Sequence, residues 1–222
     1  MSHDVCTPQP SDGRTSTEGS QYHHYVPRFI LRNFAYHFEP AIPRKSKGKR
    51  RKQKQGMQDK PELLHVLQLD PEVKKVEAPL ARAFGQRDMY RDLQRSANQQ
   101  HIEKQLSVLE CTVAPIFHKV RKAQESGLPT VRLLRSERDE LRRFLFVMRY
   151  RGSNQHKRFY NKDINDYQAR DKESLIQHMR ERGFKKPIEV WLDNIKTMAE
   201  VKIGKDGKWF SDILTRLYPG DA

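Results

Sequence analysis

Cysteine is nearly missing from this chain: 222 residues carry two, Cys6 and Cys111. One lies in a polar head and the other in a predicted helix, so no structural disulfide is expected. An intracellular compartment, cytoplasmic or nuclear, follows as the expectation. Long apolar runs are missing too. The longest, Phe144 to Met148, is far too short to span a bilayer, and the N-terminus lacks the basic-then-apolar layout of a secretory signal. No membrane partner is expected. There is no Gly-x-Ser-x-Gly elbow, no phosphate-binding glycine loop, no Cys-x-x-Cys pair and no Glu-x-x-His motif, so the usual signatures of nucleophile, nucleotide and metal chemistry are absent. No cofactor and no metal are expected. No internal repeat is visible. Hydrophobic residues make up 36% of the chain against 32% charged, a balance that suits a helical fold with one modest core and long solvated faces.

What is present in excess is positive charge, +15 in all. Eight cations fall in one run without an acidic residue: Arg44, Lys45, Lys47, Lys49, Arg50, Arg51, Lys52 and Lys54. Subtracting those eight from +15 leaves +7 for the rest of the chain. A block of like charge repels itself and does not pack, so residues 40–60 read as a disordered basic insert. Such a run contacts nucleic acid or another polyanion through phosphate neutralisation. The competing reading is a solvated loop that only aids solubility. No aromatic residue is interleaved, so a stacking platform for single strands is not indicated.

Residues 1–20, rich in Ser, Thr, Pro, Gly and Asp, read as disordered. A first helix is expected over 26–37. Leu63, His65, Leu67 and Leu69 alternate with Leu64, Val66 and Gln68, which predicts a strand; Asp70-Pro71-Glu72 is a turn, and 73–77 return as its partner. In the next helix Ile102, Leu106, Leu109, Val113, Ile116 and Val120 form an apolar seam. It begins at a cap supplied by Ser96 or Asn98, carries Pro115 as a kink, and ends at Gly127-Leu128-Pro129. Ser136 caps a further helix, apolar on nearly all sides over Phe144 to Met148 and so expected at the centre of the core. A polar helix to Gly183, one opening at Pro187, and a short last one over 209–217 complete the pattern. The expected fold is mainly α with some β: one helical domain over 21–217 bearing a two-stranded ribbon in its N-terminal third, then a tail at 218–222.

The stretch Gln21 to Ala35, QYHHYVPRFILRNFA, is least like generic helical sequence. Tyr22 to Tyr25 should be extended, because residues leading into a proline avoid the helical region. Pro27 fits the first helical position. Arg28 then sits in the first turn, where the helix dipole disfavours a cation. An anion held by the free backbone N–H groups, Arg28 and His24 would reverse that penalty. The alternative is structural: Arg28 meets a carboxylate elsewhere and His24 fills a satisfied core position.

The run His24-Tyr25-Val26-Pro27-Arg28-Phe29-x-Leu31-Arg32-Asn33-Phe34-Ala35 resembles the opening signature of the family catalogued as domain of unknown function 4238 (DUF4238). Leu63 to Asp70, Ala83 to Tyr90, and the helix pair carrying Ile102-Glu103 with Leu109-Glu110 and then Phe144 to Arg149 resemble later pieces of the same family, in the same order. The likeness covers about residues 21–155. The family's Ser-Asp-Asn-Pro-like turn is not found, so a short or truncated member is expected. The resemblance implies no settled reaction or cofactor.

Two functional classes follow. The first is a noncatalytic binding module whose candidate anion pocket gathers His23, His24, Arg28, Asn33, Glu110 and Arg149, with the basic insert as a second contact. The alternative is a metal-dependent phosphodiester hydrolase with His24 as general base. His23-His24-x-x-Pro27 is similar to the opening of HNH-type nucleases, with Asn33 and His37 as the nearby echoes of their other site residues. Glu103 and Glu110, seven apart on one helical face, are a possible carboxylate site, with an ion pair to Arg28, Arg82 or Arg149 as the structural alternative and Asp88 and Tyr90 as possible members of that network.

Overall fold

The structure is a computed structural model and describes residues 20–37, 61–69, 71–92, 98–160, 163–168 and 170–201. The N-terminal segment 1–19, the basic insert, the helix expected over 209–217 and the tail lie outside the described residues. Contacts gather the chain into two compact units, Val26–Gly85 and the remainder, where the sequence reading has one domain. The fold is mainly helical with small antiparallel sheets, as expected. Among the described residues no helix is long and apolar enough to cross a membrane.

The unit Val26–Gly85 begins with α1, Arg28–Leu31, followed by a 3-10 turn over Arg32–Phe34. This is much shorter than the helix expected over 26–37. The Asn33 side chain donates to the carbonyls of Phe29 and Ile30 at 3.0 and 3.1 Å, a local bond that competes with continuing the helix. Phe34, inside that expected helix, is 73% exposed. Pro27 stands just before the helix in an extended conformation, not inside it.

Three strands complete this unit: β2 (Tyr36–His37), β3 (Glu62–Gln68) and β4 (Lys74–Pro79). β3 and β4 are antiparallel with Leu64 opposite Ala78 and Val66 opposite Val76. The expected two-stranded ribbon is thus a three-stranded sheet, because Tyr36 pairs with Leu63 on the other side of β3. The alternation is as read: Leu64 and Val66 join Leu31, Leu80 and Ala83 in the core, while Leu67 and Leu69 stay exposed.

In the other unit, β1 (Tyr22–His24) pairs with β5 (Gly85–Arg87), of which Gln86 and Arg87 belong to this unit. The helices are α2 (His101–Glu125), α3 (Arg135–Tyr150), α4 (Ser153–Phe159), α5 (Lys172–Arg182) and α6 (Pro187–Glu200). α2 packs on both α3 and α6. Its seam is buried at Ile102, Leu106, Leu109, Val113 and Ile116, facing Phe144 and Val147 of α3 and Trp191, Ile195 and Met198 of α6, all buried likewise. The helix runs through Pro115 without stopping. It ends as expected at Gly127, whose φ of +67° lets Leu128 donate back to the Ala123 carbonyl at 2.9 Å.

α3 departs from the reading twice. Its N-cap is Leu134, whose backbone N–H donates to the Glu137 carboxylate at 2.7 Å, and Ser136 lies inside the helix. It is also not apolar-buried all round, since Leu145 is 53% exposed. Cys111 is half-buried on α2, and the other cysteine, Cys6, lies outside the described residues.

Candidate functional site

Two histidines side by side in β1 meet different fates, because successive strand residues face opposite ways. His23 is 1% exposed. Its Nδ1 accepts the Tyr90 backbone N–H at 2.9 Å, and its Nε2 lies 2.9 Å from Gln100 Oε1. A nitrogen that accepts from an amide cannot carry a proton, so the proton sits on Nε2 and is donated to Gln100. Burial holds the imidazole below its usual pKa, against the Gln100 bond and the Asp88 charge. His23 is therefore a neutral pin between β1, Tyr90 and the head of α2. Its ring stacks on Tyr90, which stacks in turn on Trp191.

The polar centre of this unit lies under that stack. Arg151 is 1% exposed. Its Nη2 meets Glu110 Oε1 at 2.8 Å, its Nε donates to the Tyr25 carbonyl at 3.1 Å, and Nη2 also reaches the His24 carbonyl at 3.3 Å. One guanidinium thus joins α2 to the peptide that follows His23. Glu103 lies two turns before Glu110 on the same helix. Burial, then the Glu110 charge, push its carboxyl up to about 7, with Arg151 opposing. Burial raises Glu110 too, against the pull of Arg151. The Tyr90 phenol senses all three of these groups and is pushed above its ordinary value, chiefly by burial. Tyr90 Oη and Glu103 Oε2 are both buried without a hydrogen-bond partner.

Chemically this is two carboxyls sharing one guanidinium. Two anions and one cation in a low dielectric are one negative charge too many, so Glu103 holds its proton to near neutral pH. The cluster can store or release a proton, and it offers a carboxyl and a phenol oxygen as hydrogen-bonding groups.

The residues singled out in the sequence do not all meet here. His23 and Glu110 do. His24 contributes its carbonyl, while its half-buried ring lies edge-on to Tyr22 at 5.2 Å. Arg28 is exposed on α1 and Asn33 is spent on the α1 carbonyls. Arg149 faces solvent, and the guanidinium that reaches Glu110 belongs to Arg151. Asp88 accepts from the Gln21 N–H at 3.0 Å while its own N–H returns to the Gln21 carbonyl. The eight cations of the basic run lie outside the described residues.

Arg151 was readable. It continues the buried row Phe144, Val147, Arg151 at helical spacings of three and four, whereas Arg149 falls on the opposite face. Gln100 carried no signal, since a glutamine before a helix is ordinary. Among the described residues no three His, Cys, Asp or Glu side chains are grouped to hold a metal ion.

No curated protein and no solved structure matches this chain. A family model does, over residues 22–222, well past the 21–155 reached by the residue-by-residue likeness. The match takes in β1, with His23 at its centre, and every helix of the cluster built around Arg151, and on that match the chain belongs to the family described as Protein of unknown function (DUF4238).

Proposed function

We propose that the chain is a noncatalytic binding module for polyanions, nucleic acid first among them. The observation that carries this is the outer face of α3. Arg135, Arg138, Arg142, Leu145 and Arg149 are all exposed and recur at spacings of three, four, three and four, so they form one stripe opposite the buried row. The fourteen residue-to-residue steps from Arg135 to Arg149 extend about 21 Å, long enough to face several successive phosphates of a strand. Arg142 is shared with Asp139 at 3.1 Å, while Arg138 and Arg149 make no ion pair among the described residues. The basic run from Arg44 to Lys54 adds eight further cations of the same chemistry in the sequence.

Binding of a labelled duplex and of a single strand, followed between about 50 and 200 mM salt, tests this reading. Affinity should fall steeply with salt. Neutralising Arg138, Arg142 and Arg149 to Gln should flatten the log–log slope by about 0.9 per lost contact. An affinity indifferent to salt sinks the proposal. The same duplex incubated with Mg2+ reads out the alternative, phosphodiester hydrolysis with His24 as base: cleavage that disappears in folded His24→Ala would replace the binding reading.

A further inference from the structure

The outer stripe of α3 is not uniformly charged. Leu145 stands in it, 53% exposed, three residues after Arg142 and four before Arg149, both exposed. Seven residue steps of helix set those two cations about 10.5 Å apart along the axis, roughly three nucleotide steps of a duplex at about 3.4 Å each. The acids of α3 all fall in its first half and are engaged. Glu137 meets Lys119 at 3.0 Å, Asp139 meets Arg142 at 3.1 Å, and Glu140 pairs with Arg143. From Leu141 to Tyr150 there is no acidic residue. The second half of the helix therefore offers a phosphate backbone no repulsion.

Three properties select among nucleic acids. The exposed Phe and Tyr side chains among the described residues, Phe34, Phe84 and Tyr160, all lie off α3, and Phe146 is half-buried. A single strand would be straightened along the stripe without the base stacking that offsets such ordering. A helix with its side chains is about 10–12 Å across, and the major groove of B-form DNA is about 12 Å wide. A-form RNA has a deep, narrow major groove that side chains do not enter. Leu145 supplies the third. An apolar side chain between two cations finds one apolar mark on the base edges of that groove, the 5-methyl group of thymine, which uracil lacks.

We propose that α3 lies in the major groove of duplex DNA, with Arg142 and Arg149 on the phosphates of its walls and Leu145 against thymine methyl groups. This deepens the polyanion reading and rests on it. Fluorescence anisotropy of the full chain with three labelled duplexes of one A·T-rich sequence tests it: DNA, the same DNA with deoxyuridine in place of thymine, and RNA. All three carry the same charge. The thymine duplex should bind tightest. The deoxyuridine duplex should bind about fourfold more weakly, the worth of one buried methyl, and the RNA at least about tenfold more weakly. Leu145→Ala should erase the thymine preference and keep the salt dependence. Equal binding of the thymine and deoxyuridine duplexes, or of DNA and RNA, overturns the groove assignment, as does a thymine preference retained in folded Leu145→Ala. The polyanion reading survives those outcomes where binding still falls with salt. Affinity indifferent to salt, or no binding of any duplex, sinks both. The comparison of the three duplexes uses the unaltered chain and holds even if Leu145→Ala does not fold.

Discussion

Arg151 on the buried side of α3's end and Glu110 on α2 sit 2.8 Å apart, and the same guanidinium fastens the carbonyls of His24 and Tyr25. A cation this deep is tolerated because its partners surround it: one carboxylate and two backbone oxygens. The pair is therefore better understood as a joint between three chain segments than as a simple source of stability, since burying two charges costs nearly what their attraction returns.

Removing one side of that joint leaves the other charge buried and alone. Arg151→Met should lower unfolding free energy by about 3–5 kcal/mol, measured by urea denaturation. Combining it with Glu110→Leu should recover a substantial part of the loss. A single-variant loss below about 1 kcal/mol, the range of exposed pairs, would mean that the guanidinium is not desolvated as described.

Glu103 sets a pH dependence of known sign. Its carboxyl titrates at about 7 in the fold against an ordinary 4.5. A raised folded value means that the native state holds the proton longer, so the stabilisation it contributes is complete below about 4.5 and is lost as pH rises through about 7. Glu103→Gln removes the titration. The variant should gain on the parent progressively between pH 5 and 8, the gap widening by on the order of 1–3 kcal/mol. Comparing urea midpoints of the two chains cancels the opposing contribution of His23, whose lowered value costs stability on acidification below its ordinary 6.5. A gap that stays flat across this range would show that Glu103 is solvated.

Pro115 lies inside α2 on its exposed side. Its ring clashes with the carbonyl four residues earlier and cannot donate to it, a cost of about 3 kcal/mol in a helix interior. Part of that is offset because proline also stiffens the unfolded chain, by about 0.4–1 kcal/mol. Pro115→Ala should therefore raise stability by about 1–3 kcal/mol, seen as a higher Tm in a thermal scan. A lower Tm would show that the proline itself helps to seat the seam.

The parts of the fold that could be read ahead were those carried by spacing. The α2 seam, the strand alternation around Leu64 and Val66, and the glycine stops at 127 and 183 each follow from local geometry, and each is found. Where reading failed, a side chain took a partner that spacing does not specify. Asn33 turned back on α1 and shortened it; Tyr36 supplied a third strand; Glu137 reached back to Leu134, the N-cap, and left Ser136 inside the helix. For the site the lesson is narrower. His23, Glu103 and Glu110 stand out by type, but charge alone does not separate Arg149 from Arg151; the face of α3 that each occupies does. The contact of His23 with Gln100 was out of reach, since it pairs the imidazole with a position of no distinctive composition.

One consequence concerns the order of assembly. The partners of the β1 peptide are distant along the chain: His23 joins Gln100 across 77 positions, and the Tyr25 and His24 carbonyls join Arg151 across 126 and 127. Contacts that close such large loops are entropically late, whereas α2 with α3, and α6 with α4 and α5, gain from neighbours nearer in sequence. The family's signature peptide is thus a latch that shuts on an already gathered bundle. Substitutions at His23 should accelerate unfolding far more than they retard refolding, so its φ-value in a chevron analysis should lie near zero.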